Sequence, residues 1–293
     1  MSLQHIAVIG AGTMGNGIAQ VCAVAGFDVT LVDISDTALE RGVATVRKNL
    51  ERQVNKQTID NDSAQAALQR ILTTTDYAQL DGAQLVIEAA TENLDLKLRL
   101  LNGSHSFLAY LGALAGKKTI SDCMEDRVFK QAAHTLMIEE QAGTLTVPGG
   151  FDIAAYAEML IARYSNRALQ HQTTQIASDG SQKLPQRLLN PIRFHLEDGS
   201  DWTLSALAVA GWLKYCRGIA EDGAKLPVND PFAERISDLA STHCGEAYAM
   251  KMLTLGDVFG SDLPANPAFV STLVTAYQTL EAEGAAAALS ASL

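Results

Sequence analysis

The feature that most constrains the fold is Gly10-Ala11-Gly12-Thr13-Met14-Gly15. It sits between a β-branched run, His5 to Ile9, and a helical pattern at Ile18, Ala19, Val21, Cys22 and Val24. A second strand pattern, Val29-Thr30-Leu31-Val32, follows and ends in Asp33. Strand, glycine-rich turn, helix, strand and acid, in that order, mark a dinucleotide-binding βαβ unit. Gly10 permits the tight turn, Gly12 lets the backbone approach a pyrophosphate, and Gly15 lets the helix pack close to the strand. The helix N-terminus, with Thr13 and Met14 on its first turn, offers N–H groups and a partial positive charge to the phosphates. Asp33 lies 18 residues beyond Gly15. Its carboxylate can accept hydrogen bonds from ribose hydroxyls and would repel a 2′-phosphate. No Arg follows closely after Ile34-Ser35, so the expected cofactor is NAD and not NADP.

Two helical patterns come next, Ser35 to Asn55 and Ser63 to Arg70, with a break at Asn61-Asp62. Arg47, Lys48, Arg52 and Lys56 admit two readings, contact with a phosphate-bearing substrate or a solvated face. Ile71 to Thr75 and Leu85 to Ala90 read as the third and fourth strands. The expected strand order is 3-2-1-4, half of a six-stranded dinucleotide sheet.

Composition narrows the function. The 293 residues carry 47% hydrophobic side chains and a net charge of −11. A core is available, and the acidity argues against a nucleic-acid partner. Cys22, Cys123, Cys216 and Cys244 are scattered, and the six histidines lack ligand spacing. Buried thiols in a reducing compartment and no metal are expected. No apolar run approaches the ~18 residues of a membrane span and no signal peptide is evident, which points to the cytoplasm.

After residue 97 the periodicity is helical almost throughout. Helices are expected from Phe107 to Ala115, Asp122 to Glu140, Asp152 to Tyr164, Leu184 to Leu196, Leu204 to Arg217, Phe232 to His243 and Pro267 to Glu283. Breaks are expected at Thr144 to Gly150 and Asp179 to Pro185, and the Ala-rich tail either extends a helix or frays. Lys97, Asn102 and His105 stand at i, i+5 and i+8, within an arc of about 140° on an α-helix. Two readings are open: polar residues of an amphipathic helix, or an amine, an amide and an imidazole aimed into one pocket for proton transfer at an alcohol. His171, His195 and His243 have no supporting constellation and read as ordinary surface or half-buried residues.

The chain resembles two families in succession. Ile-Ala-Val-Ile-Gly-Ala-Gly-Thr-Met-Gly, Val-Thr-Leu-Val-Asp, Leu-Thr-Thr-Thr-Asp and Val-Ile-Glu-Ala-Ala-Thr-Glu-Asn are similar to the N-terminal part of the 3-hydroxyacyl-CoA dehydrogenases, over residues 1 to about 98. That resemblance implies that Glu92 and Lys97 line the cofactor site. The family's Ser-Asn-Thr-Ser strand, its His-Phe-x-x-Pro segment and its partner Glu do not follow here. Hydroxyacyl-CoA chemistry would therefore lack its acid–base pair.

From Lys97 onward, Lys97-Leu-Arg-Leu-Leu-Asn102-Gly-Ser-His105, Asp122-Cys-Met-Glu-Asp, Arg163-Tyr-Ser-Asn166 and Asp179-Gly-Ser-Gln-Lys183-Leu-Pro resemble the long-chain mannitol dehydrogenase family, closest to its fructuronate reductase (D-mannonate oxidoreductase) branch. This resemblance implies that Lys97 is the general base, that Asn102 helps bind the reacting oxygen and that His105 orients substrate or base. A lysine base needs its ordinary pKa of about 10.4 brought down by burial or a nearby cation. Arg163 and Lys183 are candidates for the substrate carboxylate. The alternatives are a helix-terminal charge for Arg163 and a loop lysine in water for Lys183. Asn166 is a candidate helix cap. Leu94 stands where the family usually has an acid.

The expected architecture is a partial α/β Rossmann-like parallel sheet of about four strands, residues 1–96, followed by an all-α domain, residues 97–293. The join at Lys97-Leu98-Arg99 satisfies both patterns, which suggests a chimera. The expected function is NAD-dependent oxidation of a small-molecule sugar acid or polyol. The alternatives are an NAD-binding chain without a complete active site and a 3-hydroxyacyl-CoA dehydrogenase.

Overall fold

The computed structural model describes residues 3–80, 82–89, 94–147 and 151–293. The chain forms two compact units, Met1–Leu94 and Asp95–Leu293.

The first unit is a parallel sheet with helices. Strands β1 (His5–Ile9), β2 (Asp28–Val32), β3 (Ile71–Thr74) and β4 (Leu85–Glu88) lie in the order β3-β2-β1-β4. This is the order expected from the sequence. Ile6 of β1 faces Val29 of β2 on one side and Leu85 of β4 on the other. Strands β1 and β2 are buried along nearly their whole length, as unbroken apolar runs in parallel sheets are. β3 and β4 form the edges and are four residues each. The third and fourth strands stop earlier than their apolar patterns, at Thr74 and Glu88.

Helix α1 (Thr13–Val24) follows the glycine turn; α2 (Asp36–Asn55) and α3 (Asn61–Gln69) complete the unit. Leu39, Gly42, Val46 and Leu50 form the buried stripe of α2. The expected break at Asn61-Asp62 falls one step earlier. Asp60 caps α3 by accepting a hydrogen bond from the Ser63 N–H at 2.7 Å, so Asn61 and Asp62 already belong to the helix.

The second unit is helical, with two isolated β-bridges among the described residues. Its centre is the pair Ser104–Leu114 and Thr203–Tyr215, each buried on almost every face. Such helices need no polar stripe, which is why their sequences show almost none. Small residues let them approach. A Cβ on Gly211 would lie 2.8 Å from the Leu111 Cδ2.

Four sequence expectations are corrected here. The helix expected from Asp122 to Glu140 is broken at Asp126, which adopts extended backbone and caps Arg127–Thr135 through the Val128 N–H. The expected break at Asp179 to Pro185 reduces to Asp179 alone, held at φ 54°. From Gly180 to Asp198 the backbone stays helical, passing through a π-helical turn at Pro185–Leu189. The wider turn accommodates a proline, which has no N–H to give the helical ladder. The tail neither extends the preceding helix nor frays. Gly284, at φ 81°, turns the chain into Ala285–Ala291, where Ala285, Ala288 and Leu289 are buried. Finally, Cys244 is exposed, whereas Cys123 and Cys216 are buried as expected.

His195 is also more than an ordinary residue. It is buried, with Nδ1 2.7 Å from the Ser200 Oγ and Nε2 2.6 Å from the Glu140 carbonyl. The Glu140 side chain accepts the N–H groups of Leu204 and Ser205 at 2.6 and 2.8 Å, satisfying the first turn of the central helix. Burial raises its carboxyl to about 7, against the opposing pull of these donors. The residue that ends the helix expected from Asp122 to Glu140 is thus an internal staple of the core.

Candidate active site

Within the first unit the glycine turn has the shape expected of a pyrophosphate cradle. Gly10 has φ 98°, a conformation that suits glycine, and its N–H donates to the Val32 carbonyl at 2.6 Å. A Cβ on Gly15 would lie 1.7 Å from the Gly10 carbonyl oxygen. The helix is therefore seated on the strand end at backbone distance. Gly12 is the N-cap of α1, so no side chain caps the first turn that Thr13 and Met14 occupy. Met14 is 64% exposed. The neighbouring Asn16 is buried and donates from Nδ2 to the Gly12 carbonyl at 2.7 Å, a support that motif reading missed.

Asp33 accepts the Ala11 N–H on Oδ2 at 2.8 Å and the Ser35 N–H on Oδ1 at 3.1 Å. It braces the turn, and a carboxylate has further acceptor sites for ribose hydroxyls. Tyr77 sits close to Asp33 and Glu88. Burial and those two carboxylates push its phenol up to about 12. The Asp33 carboxylate at the end of β2 opposes a 2′-phosphate, so these residues fit NAD. Glu92, the other expected cofactor contact, lies outside the described residues.

Within the second unit, Lys97–Gly103 is a π-helical turn that leads into the α-helix Ser104–Leu114. This corrects the phase assumed from sequence. With i→i+5 hydrogen bonding, Lys97 and Asn102 come closer to one angular position than α-helical spacing allows. Both are half-buried. The freed carbonyls find side-chain partners. Ser104 Oγ donates to the Leu100 carbonyl, Tyr164 donates to Leu101 at 2.9 Å, and Arg187 Nη1 reaches the Asn102 carbonyl at 3.4 Å.

Three π-helical turns meet here: Lys97–Gly103, Leu136–Gln141 and Pro185–Leu189. Gly103 is where they touch. A Cβ there would lie 2.3 Å from the Gln141 Nε2 and 3.0 Å from the Arg187 carbonyl. Such turns are rare and concentrate at functional sites.

His105 stacks on Tyr164 at 4.5 Å between ring centroids and meets His171 edge-on at 5.6 Å. Its Nε2 is shielded from solvent and has no hydrogen-bond partner among the described residues. Burial, then the charges of Arg163, His171 and Arg187, lower its pKa to about 3. The imidazole is therefore neutral near pH 7, and can orient a partner by hydrogen bonding without itself carrying charge.

That shift has a measurable consequence. The folded pKa lies below the ordinary 6.5, so the unfolded chain binds more protons between about pH 3 and 6.5. Stability is lost as the pH falls through that window, by up to ~1.4 kcal/mol per pH unit. His171 is lowered in the same sense, and Glu140, raised to about 7, acts oppositely. The expected result is that His105→Gln unfolds in urea with a weaker loss of stability from pH 6 to 4 than the parent. Equal slopes would contradict the burial of this imidazole.

The structure brings Arg163 to His105, at the last turn of Ile153–Tyr164. Lys183 lies near Arg187, and its Nζ donates to the Ile176 and Ser178 carbonyls at 3.2 and 2.5 Å. Asn166 caps a short turn through the Ala168 N–H. Sequence reasoning missed His171, read as ordinary, because only folding sets it against His105, 66 positions earlier. It also missed Arg187, although Arg187 lies two residues beyond Pro185. Among the described residues no helix is long and apolar enough to cross a membrane, and no three of His, Cys, Asp and Glu are grouped to hold a metal ion.

Comparison with known proteins follows the same division. Residues 91–281 match the mannitol dehydrogenase C-terminal domain, and residues 5–109 match the NAD binding domain of 3-hydroxyacyl-CoA dehydrogenase. The two matches overlap over 91–109, the stretch that carries Lys97, Asn102 and His105. An uncharacterized oxidoreductase of Escherichia coli, YeiQ, is 51% identical over 67% of this chain and 40% of its own length. The D-mannonate oxidoreductase of the same organism is 47% identical over 70% of this chain and 42% of its own. The chain thus spans about two fifths of these relatives. Mannitol 2-dehydrogenase of Pseudomonas fluorescens, solved as a ternary complex with NAD and D-mannitol, resembles it with a TM-score of 0.65. That likeness covers 94% of this chain and 65% of the other at 22% identity, and it is one of fold.

Proposed function

Because the chain belongs to the mannitol dehydrogenase family through its C-terminal domain, we propose that it is an NAD-dependent oxidoreductase interconverting the secondary alcohol and ketone of a sugar acid or polyol. The observation that carries this reading is that Lys97, Asn102 and His105 lie on one π-helical turn and the helix that continues it, with the His105 Nε2 buried and without a hydrogen-bond partner among the described residues. A buried nitrogen without a partner is costly unless a ligand supplies one.

In the oxidation direction NAD, when bound, would supply the acceptor for the hydride that leaves the carbinol carbon. Gly10, Gly12, Thr13, Met14 and Gly15 would hold its pyrophosphate and Asp33 its ribose, and the family resemblance adds Glu92 to these candidates. Lys97 Nζ takes the hydroxyl proton. The Asn102 side-chain amide donates to the reacting oxygen as it becomes a carbonyl. Neutral His105 orients the substrate through Nε2. Arg163 and Lys183 supply positive charge toward the carboxylate of a sugar acid. In reduction each step reverses, and Lys97 returns the proton.

A second reading, an NAD-binding chain without a complete substrate pocket, draws on the chain's two-fifths coverage of its relatives. One experiment separates these readings. NADH fluorescence titration reports cofactor binding, and turnover is measured with D-mannonate, D-mannitol and 3-hydroxybutyryl-CoA. NADH binding with mannonate or mannitol turnover is the expected result. Binding without turnover supports the second reading. Turnover of the CoA thioester alone would transfer the function to the 3-hydroxyacyl-CoA dehydrogenases, and no NADH binding at millimolar concentration would sink all three.

A further inference from the structure

The charge pattern around His105 points to a narrower substrate class. Three segments bring cationic or protonatable groups to it: Arg163 at the end of Ile153–Tyr164, His171 in the following loop and Arg187 in the π turn Pro185–Leu189. Arg187 is half-buried, and among the described residues its hydrogen bonds go through Nη1 to two neutral oxygens, the Asn102 carbonyl at 3.4 Å and the Ser106 Oγ at 3.0 Å. Among the described residues it forms no ion pair. The other groups acting on its charge are the phenols of Tyr110 and Tyr164. A half-desolvated guanidinium without an acid is an uncompensated charge. Beside it lies a buried imidazole nitrogen that also lacks a hydrogen-bond partner among the described residues.

One ligand satisfies both. A carboxylate would pair with the planar donor fork of the guanidinium, and a hydroxyl on the adjoining carbon chain would hydrogen-bond to the imidazole. We propose that Arg187 is the specificity-determining residue of this site, pairing with the carboxylate of a sugar acid and so selecting an aldonate over a neutral polyol. This rests on the oxidoreductase reading for its substrate family, but the selection itself is a matter of charge. Lys183, held on carbonyls close to Arg187, adds to the positive field at that end.

The test is calorimetric titration of the full chain, with and without saturating NADH, using D-mannonate, its neutral amide D-mannonamide, and D-mannitol. Binding is read without turnover. A charge-assisted, forked pair should favour mannonate over either neutral ligand by about 10- to 100-fold. Arg187→Gln should weaken mannonate most and so bring the three affinities together, and Arg187→Lys should restore part of the preference. A merely structural role would weaken all three ligands alike. Parent protein that binds mannonate no better than mannonamide overturns the proposal, as does Arg187→Gln that keeps the preference. Should Arg187→Gln not fold, the mannonate–mannonamide comparison in the parent decides. Preference for mannonate without turnover overturns the oxidoreductase reading and leaves the selection by Arg187 standing.

Discussion

Lys97→Met is expected to lower kcat for mannonate or mannitol by about 10²- to 10⁴-fold, the usual contribution of a positioned general base. Methionine keeps a long unbranched stem, so the half-buried position stays filled and only the amine is lost. NADH affinity and thermal stability should stay close to the parent values. A variant that turns over within about threefold of the parent would remove Lys97 from the role of base. Asn102→Ala would differ in kind. It would delete the donor proposed for the developing carbonyl, and should lower kcat while leaving NADH affinity near the parent value.

Gly15→Ala should abolish cofactor binding through one added methyl. The new Cβ would lie 1.7 Å from the Gly10 carbonyl oxygen and 2.8 Å from its carbon. Both are backbone atoms, so no side chain can rotate away. Either α1 lifts off the end of β1 or the turn distorts. Displacement of about 1 Å at a precise binding site costs on the order of 100-fold. Overpacking of this kind also costs about 1–3 kcal/mol of stability. Gly17, two residues on in the same helix, is the control, since a Cβ there meets nothing within 4 Å. Gly17→Ala should bind NADH normally and gain about 0.5–1 kcal/mol from helix propensity. Equal NADH affinity in the two variants, read by fluorescence titration, would contradict the cradle described for Gly15.

These two residues also show where the sequence is legible. Gly15 is readable because its constraint is local. Strand, turn and helix adjoin in the chain, and the spacing of glycines states the geometry directly. The four-strand order follows for the same reason, since parallel strands joined by short helical crossovers have few ways to lie. Asp33 is only half readable. Its place at the end of β2 follows from the motif, but its bonds to the Ala11 and Ser35 N–H groups do not. Lys97 and Asn102 were read on an α-helix, and the π turn that aligns them was hidden. A π turn has no composition of its own; it forms because Ser104, Tyr164 and Arg187 accept the burden of the freed carbonyls. Two of those three partners lie more than 60 residues away.

The sequence alone determined a glycine turn that suits NAD, a four-stranded sheet in the order 3-2-1-4, a helical remainder, and an amine, an amide and an imidazole within nine residues. Each rests on short-range periodicity or on side-chain chemistry carried by the residue itself. Tertiary structure decided what surrounds that triad. It seated His105 on Tyr164 and against His171, drew Arg163 and Arg187 toward it, and excluded water from its Nε2. Charge state and hydrogen-bond satisfaction belong to an environment assembled from distant segments. For that reason His171 and Arg187 looked ordinary in the chain and became neighbours of the candidate site only in the fold.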